Sequence, residues 1–284
     1  MKKRALMKDF RMEVRNSLNR FISIFFIVAL GVAFFSGVRA GEPDMRYSGD
    51  AYFDARNMMD LKIMSTLGLT EDDIRAISNV EGVDSVEAGY MIDVLSLMGE
   101  SERIIHVESL PKTMNQVDVD QGRLPEKMGE CIVDMDAAAS ADIQIGDVLI
   151  FKSGTEDELS DTLSVSEYTV VGTCSSPMYI SFNRGSTNIG NGSIDLFVYV
   201  SEDSFCQEVY SQAYVTVEGA KDLTAFTEKY KDQVDAVKER IEDISDKRCD
   251  VRYAEIMDEA NEELAEAESE LESAKVEEIG RAHV

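Results

Sequence analysis

Histidine is nearly absent from this 284-residue chain: it occurs twice, at His106 and His283. A Ser-His-Asp triad or a histidine-ligated metal site therefore has almost nothing to be built from. No Gly-Lys dipeptide occurs, which excludes a phosphate-cradling G-x-x-x-x-G-K-[ST] loop. The four cysteines, Cys131, Cys174, Cys206 and Cys249, are scattered without metal spacing and permit three disulfide pairings. Cys131 and Cys174 lie in apolar runs, where a buried free thiol is expected. Positive charge is also scarce. Of 55 acidic and 28 basic side chains, two and eight respectively fall in residues 1–39, so the remainder carries a net charge of −33. A surface that acidic does not bind nucleic acid and is repelled by anionic lipid head groups. It suits a well-solvated extracellular domain.

Against these absences stands one long apolar run. Residues 21–38 read FISIFFIVALGVAFFSGV, without a charge. As a helix they rise about 27 Å, close to the roughly 30 Å of a hydrocarbon core. A transmembrane helix is expected, with Phe21, Ile24, Ile27, Leu30, Gly31, Phe34, Gly37 and Val38 in the span. Lys2, Lys3, Arg4, Lys8, Arg11, Arg15 and Arg20 precede it against only Asp9 and Glu13. Positive charge stays inside, so the N-terminus is expected in the cytoplasm of a cell (plasma) membrane protein and the main domain outside. Val38-Arg39-Ala40 resembles a peptidase site, but the apolar run exceeds the 7–15 residues of a signal h-region. Within residues 1–20, Leu6, Phe10, Val14 and Leu18 recur at helical spacing between basic residues, the pattern of an amphipathic helix on the inner membrane surface.

Beyond the span, residues 59–65 read as a strand. Thr70 is a candidate N-cap, with an acid three residues on, for a short helix striped by Ile74 and Ile77. Residues 83–98, 104–107, 131–133, 148–151, 168–173, 196–200 and 214–217 read as strands. Residues 136–141 read as a helical turn, 153–161 as an exposed acidic loop that includes Glu156-Asp157, and 181–193 as a long Gly-rich loop. The order implies an α+β sandwich with helices on one face of a mixed sheet. Tyr168, Tyr179, Tyr199 and Tyr214 are expected in strands as core or cross-strand residues. Asp118-Val119-Asp120-Gln121-Gly122 hints at a calcium loop, but its glycine comes one position early and no glutamate closes the frame.

Two long helices are expected at the end. Leu223, Phe226, Tyr230, Val234, Val237, Ile241 and Ile244 mark the face of the first. In the second, Tyr253, Met257, Ala260, Leu264, Ala267, Leu271 and Ala274 step by four and three, the seam of a coiled coil. Acidic residues coat its flanks, and a lone helix of this kind has few attractive pairs to support it. With no partner strand in the chain, self-association is the first expectation. The last six residues, 279–284, break the heptad and resemble a translated sequencing adapter. They are expected to be a non-native tail, in which case His283 is not biological and the protein continues past residue 278.

Three segments carry a family resemblance. The first is Arg15-Asn16-Ser17-Leu18-Asn19-Arg20-Phe21 running into Ile27-Val28-Ala29-Leu30-Gly31. The second is Gln121-Gly122-Arg123-Leu124-Pro125 with Gly129-Glu130-Cys131-Ile132-Val133 and Ile145-Gly146-Asp147. The third is Tyr168-Thr169-Val170-Val171-Gly172 with Ser176-Pro177-Met178-Tyr179 and Phe197-Val198-Tyr199-Val200. In order and spacing over about 200 residues the chain resembles the FtsX-like, MacB-type ABC transporter permeases, especially the large Gram-positive ones; the acidic heptads also look like the coiled-coil hairpin inserted in those members.

The resemblance implies a membrane α+β protein: an N-terminal transmembrane helix, an extracytoplasmic α+β core domain like the MacB-type periplasmic core, and a C-terminal coiled-coil helix. It implies a cytoplasmic ABC ATPase on a separate chain, a second permease copy or further permease helices, and the lipid bilayer as partners. It implies no cofactor and no catalytic residue. The expected organisation is a cytoplasmic segment at 1–20, the span at 21–38, the outer domain at 42–220, a long helix and coiled-coil arm at 221–278, and the tail. The expected function is that of the permease subunit, transmitting ATP-driven motion to the outer domain for export or mechanotransmission. The alternative is a single-pass anchored adaptor or receptor whose outer domain and coiled coil dock an envelope protein.

Overall fold

The computed structural model describes residues 2–99 and 101–282. The chain divides into two units, Met1–Ala51 and Tyr52–Val284. His283 lies outside the described residues.

In the first unit, α1 (Lys2–Asn16) ends at Ser17, whose hydroxyl donates 2.7 Å back to the Glu13 carbonyl. The next helix, α2, runs Leu18–Ala55 and holds the apolar run, with no residue buried. It does not stop near Val38 as the hydropathy pattern suggests. Pro43 lies inside it, and the missing proline N–H removes only the bond to the carbonyl four residues back.

The second unit is α+β. A three-stranded antiparallel sheet has the order β1 (Leu61–Leu69), β10 (Tyr210–Val217), β2 (Val83–Gly89). Between β1 and β2 lies α3 (Glu71–Ser78). Its start is fixed by a reciprocal capping box: the Thr70 hydroxyl accepts from the Asp73 N–H while the Asp73 carboxylate accepts from the Thr70 N–H at 2.8 Å. Asp73 also accepts from Arg248 Nε at 2.6 Å, which ties α3 to the final helix, α5 (Glu228–Ala282). Ile77, Val215, Val217, Val234, Val237 and Ile241 form the core between this sheet and its two helices. Here the expected helices-on-one-face arrangement is found.

The larger sheet differs from that expectation. Its strands are β3 (Met91–Met98), β4 (Ser101–Ser109), β5 (Asp118–Gly122), β6 (Glu130–Asp134), β7 (Val148–Ser153), β8 (Glu167–Ser175) and β9 (Leu196–Val200). They run in the order β5-β8-β6-β9-β4-β3-β7, and β7 pairs again with β8. Six strands therefore close into a ring, with β5 added outside β8. A closed ring leaves those strands no open edge and fills its interior with side chains. Val94, Ile105, Cys131, Phe151, Tyr168 and Val198 are among them. The β7–β8 hairpin is legible locally; the pairing of Val94–Ser96 with residues 151–153, which closes the ring, is long-range. The helical turn expected at 136–141 is α4 (Met135–Ala141), started by the Asp134 side chain accepting from the Asp136 N–H.

Residues 118–122 form extended β5 on the edge of β8, and Asp118 pairs with Arg56. The two closing helices are one: α5 is continuous, because residues 228–278 hold neither proline nor glycine. Leu223 and Phe226 precede it.

Removing the cap hydroxyl tests the α3 anchorage. Thr70→Ala is expected to lower the unfolding free energy of the detergent-purified full chain by about 1 kcal/mol in urea titrations.

Candidate functional site

The segment 121–147 and residues 168–172, which carry part of the family resemblance, meet at one corner of the ring. Gly122 of β5 lies opposite Gly172 of β8. A Cβ on Gly172 would sit 2.6 Å from the Arg123 carbonyl oxygen and 2.7 Å from that of Gln121, so only glycine allows this approach. Arg123 then turns back on the start of β6. Its guanidinium donates to both Glu130 oxygens at 2.7 Å, and the Glu126 N–H donates to the same carboxylate at 3.0 Å. The Arg123 hydrogen bonds hold the Glu130 carboxyl at about 2. The Ile145-Gly146-Asp147 turn joins in, with the Gly146 N–H donating to the Val170 carbonyl and the Val170 N–H to the Asp147 carbonyl, both at 2.8 Å. The motif is thus a structural corner, and its residues are consumed in holding β5, β6, β7 and β8 together.

A second cluster lies between the ring and the small sheet. His106 and Glu108 share one face of β4, two residues apart as a strand requires. Glu108 is fully buried and His106 nearly so. His106 Nδ1 donates to Asp93 of β3 at 2.5 Å and Nε2 donates to Glu108 Oε1 at 3.2 Å. From the small sheet, Lys62 Nζ (β1) lies 3.5 Å and Gln212 Nε2 (β10) 3.4 Å from the same Glu108 oxygen. Gln212 Nε2 also donates to the Tyr214 hydroxyl at 2.6 Å. Burial lowers the affinity of His106 for a proton, but its bonds to Asp93 and Glu108 outweigh that and raise its pKa to about 9. For Glu108 burial favours the neutral acid, and His106 with Lys62 overcomes it, leaving a pKa of about 2. Tyr179, Tyr199 and Tyr214 surround the centre; burial and the Glu108 charge push their hydroxyls up, so they stay neutral. Two cations thus balance two anions.

The Gly-rich loop 181–193 has its own anchor. Arg184, 5% exposed, donates from Nε to Asp134 Oδ2 at 2.6 Å and from Nη2 to Asp134 Oδ1 and Asp136 Oδ2, both at 2.9 Å. It also donates to the carbonyls of Tyr179, at 3.0 Å, and Ser181. The start of the loop is therefore fixed against the β6–α4 junction, while Ile180 and Phe182 beside it stay exposed.

The other sequence expectations are placed as follows. Phe21, Ile24, Ile27, Leu30, Phe34 and Val38 are exposed along α2, and open space surrounds Gly31 and Gly37. Tyr253, Met257, Ala260, Leu264, Ala267 and Leu271 lie exposed on α5. Ala274 is in the same helix, its side chain outside the described set. Cys131 and Cys174 are buried free thiols, pushed up by burial, whereas Cys206 and Cys249 are free and exposed. Tyr168, Tyr199 and Tyr214 are buried in strands; Tyr179 lies in a short turn after β8. Among the described residues no group of three or more His, Cys, Asp or Glu is placed to hold a metal ion.

No protein-family profile matches the chain. No curated protein matches it. Among solved structures, it is similar to extracytoplasmic domains of ABC-type transporters. One is the extracellular domain of the noncanonic ABC-type transporter YknZ from Gram-positive bacteria, at 16% identity over 54% of this chain and 75% of that one, with a TM-score of 0.35. Another is the periplasmic region of MacB from Actinobacillus actinomycetemcomitans, at 12% identity over 64% of this chain and 75% of that one, TM-score 0.35. Likenesses this partial leave the functional reading to the residues themselves.

Two outcomes test the buried charges. A histidine whose folded pKa lies above its unfolded value of about 6.5 stabilises fully below that pH and loses the effect as pH rises through about 9. Wild type is expected to lose about 3 kcal/mol of stability between pH 6 and 10 from this group, and His106→Gln to flatten that slope in parallel denaturation curves. Arg184→Ala strands Asp134 in the interior and is expected to cost about 3–5 kcal/mol, read as a lowered urea midpoint.

Proposed function

We propose that the chain is the permease (membrane) subunit of an FtsX-like, MacB-type ABC transporter. In this reading α2 spans the bilayer with α1 on the cytoplasmic side, and the α+β unit stands outside. The observation that carries it is the exposed apolar run of α2, set between a basic leader and a domain of charge −33. The order of the three motif segments supports the same reading. The subunit is non-catalytic and takes its energy from an ATPase on a separate chain.

Motion enters the outer domain where α2 ends. There residues 56–59 are stitched to 113–118. The Asn115 N–H donates to the Asn57 carbonyl at 3.0 Å and the Gln116 N–H to that of Arg56 at 2.9 Å. The Met59 N–H donates to Asn115 Oδ1 at 2.9 Å, and Arg56 forms a two-pronged pair with Asp118. Residue 118 begins β5, which lies on β8 and the ring. A displaced helix end thus pulls on a strand rather than on a slack linker, as export or mechanotransmission without passage through the domain requires.

The exposed native thiols test the topology. Cys206 and Cys249 are expected to react with a membrane-impermeant maleimide on intact cells, while Cys131 and Cys174 stay unlabelled until denaturation. The subunit is also expected to co-purify with a Walker-motif ATPase from native membranes. Labelling only after the cells are permeabilised overturns the reading. Correct labelling with no ATPase in the complex favours the anchored adaptor.

A further inference from the structure

The small sheet is built from a crossover that skips a place. β1 and β2 are both antiparallel to β10, which lies between them, so β1 and β2 run parallel to each other. The connection from β1 through α3 to β2 is therefore a split β-α-β unit. β10 enters the gap and is followed by α5, the first two parts of a second such unit. Ile77 of α3 and Val234, Val237 and Ile241 of α5 share one core with Val215 and Val217, so both helices cover the same face of the sheet.

The hand of these crossovers fixes where the second unit leads. Crossovers between parallel strands of one sheet are, as a rule, right-handed. With both helices on one face, a right-handed crossover leaving β10 steps the opposite way to one leaving β1, because the two strands run in opposite directions. The first step goes from β1 across β10 to β2. The second goes from β10 across β1, to the open edge beyond it. The course of α5 agrees. Tyr230 near its start donates to Asp60, just ahead of β1, at 2.6 Å, and Arg252 donates to the Leu67 carbonyl, toward the end of β1, at 3.3 Å. Since β1 and β10 are antiparallel, α5 has by then returned to the level at which β10 starts.

The two edges of the sheet are not equally open. β2 is blunted by Asp84 and Glu87. β1 has nine residues, with no proline and no acid, and its one charge, Lys62, reaches to buried Glu108. Leu61 and Ile63 are only partly buried, although Val215 and Ala213 opposite them are completely covered. Apolar surface is thus left over on the β1 flank.

We infer that the outer edge of β1 over Leu61–Met64, where its pairing with β10 is regular, is the docking edge for a strand from the segment that follows α5 in the same protein. That strand runs antiparallel to β1 and alternates apolar with polar residues, the apolar ones packing beside Leu61, Ile63 and Tyr230. It sets the outgoing part of α5 inside a β-α-β unit, so that the chain leaves the small sheet and returns to it. None of this depends on whether an ATPase drives the chain.

The test compares the 284-residue chain with the product of its gene read through to the stop codon. Both are purified alone in detergent micelles and followed by hydrogen exchange at single-amide resolution. In the 284-residue chain the outward amides of Leu61–Met64 are expected to exchange freely. In the longer protein every amide of Leu61–Met64 is expected to be protected, the outward ones slowed at least about tenfold, because a strand paired on both sides has no free N–H. The amides of β2 are expected to stay unchanged, and those of β6 report that both proteins are folded. The longer protein is decisive by itself: outward amides of Leu61–Met64 that still exchange freely in it overturn the inference, even where the shorter chain fails to hold its small sheet. So does protection that appears on β2 in place of β1. So does protection of β1 that is already present in the 284-residue chain and is lost on dilution, because the edge is then paired with a second copy.

Discussion

A carboxylate taken wholly out of water must be matched by positive charge, and Glu108 draws its match from two sheets at once. His106, beside it on β4, supplies one cation, and Lys62 on β1 supplies the other. Removing either partner leaves a buried negative charge, which is far more damaging than losing an exposed ion pair. Lys62 also lies over the Tyr214 ring at 5.8 Å, so the small sheet meets the ring through charge and aromatic surface together. A junction of this kind is less tolerant of sliding than a greasy one. Apolar surfaces slip past one another at little cost, whereas an imidazolium displaced from its carboxylates loses specific hydrogen bonds. The two sheets are therefore held in one register.

The same economy appears where residues 56–59 meet the approach to β5. Asn57 and Asn115 both adopt left-handed backbone conformations, with φ near 48°. Asparagine tolerates that region better than most residues, because its short side chain bonds locally. Here the side chains do so across the seam: Asn57 Nδ2 donates to the Thr113 carbonyl, and Asn115 Oδ1 accepts from the Met59 N–H. On the far side of the same turn, Glu87 of β2 accepts from the N–H groups of Lys112, Thr113 and Met114. Residues 112–116 are thereby gripped by residues 56–59 on one side and the small sheet on the other.

Much of this was legible where the signal is local. Thr70 with Asp73 announced α3, runs of strand-forming residues announced most strands, and the apolar run announced α2. The features that were not legible are those that depend on distant pairing. Ring closure needs β3 to find β7, and no residue in either strand encodes the other. His106 was set aside because a lone histidine cannot build a triad, yet the signal was present: His106 and Glu108 are polar residues on one face of an otherwise apolar strand. Arg184 likewise stood alone in an acid-free stretch from 175 to 194, which hints that its counter-charge comes from elsewhere in the fold. The split of the closing helix in two was an error of periodicity. The seam rotates along the helix, because its apolar face packs on the small sheet near Val237 and is exposed at Tyr253 and Met257.

That rotation separates two roles along one helix. Up to Ile241 the buried face of α5 is part of the core and is subject to packing constraints. Arg248 and Arg252 still reach back, to Asp73 and to the Leu67 carbonyl. After them residues 253–274 hold no basic side chain, and Tyr253, Met257, Leu264 and Leu271 lie exposed. An isolated helix of such composition gains nothing from propensity that repulsion between its glutamates does not offset. Arg252 thus marks where α5 passes from residues tied to the small sheet to an acidic, exposed stretch, so one helix combines a packed proximal half with a solvated distal one.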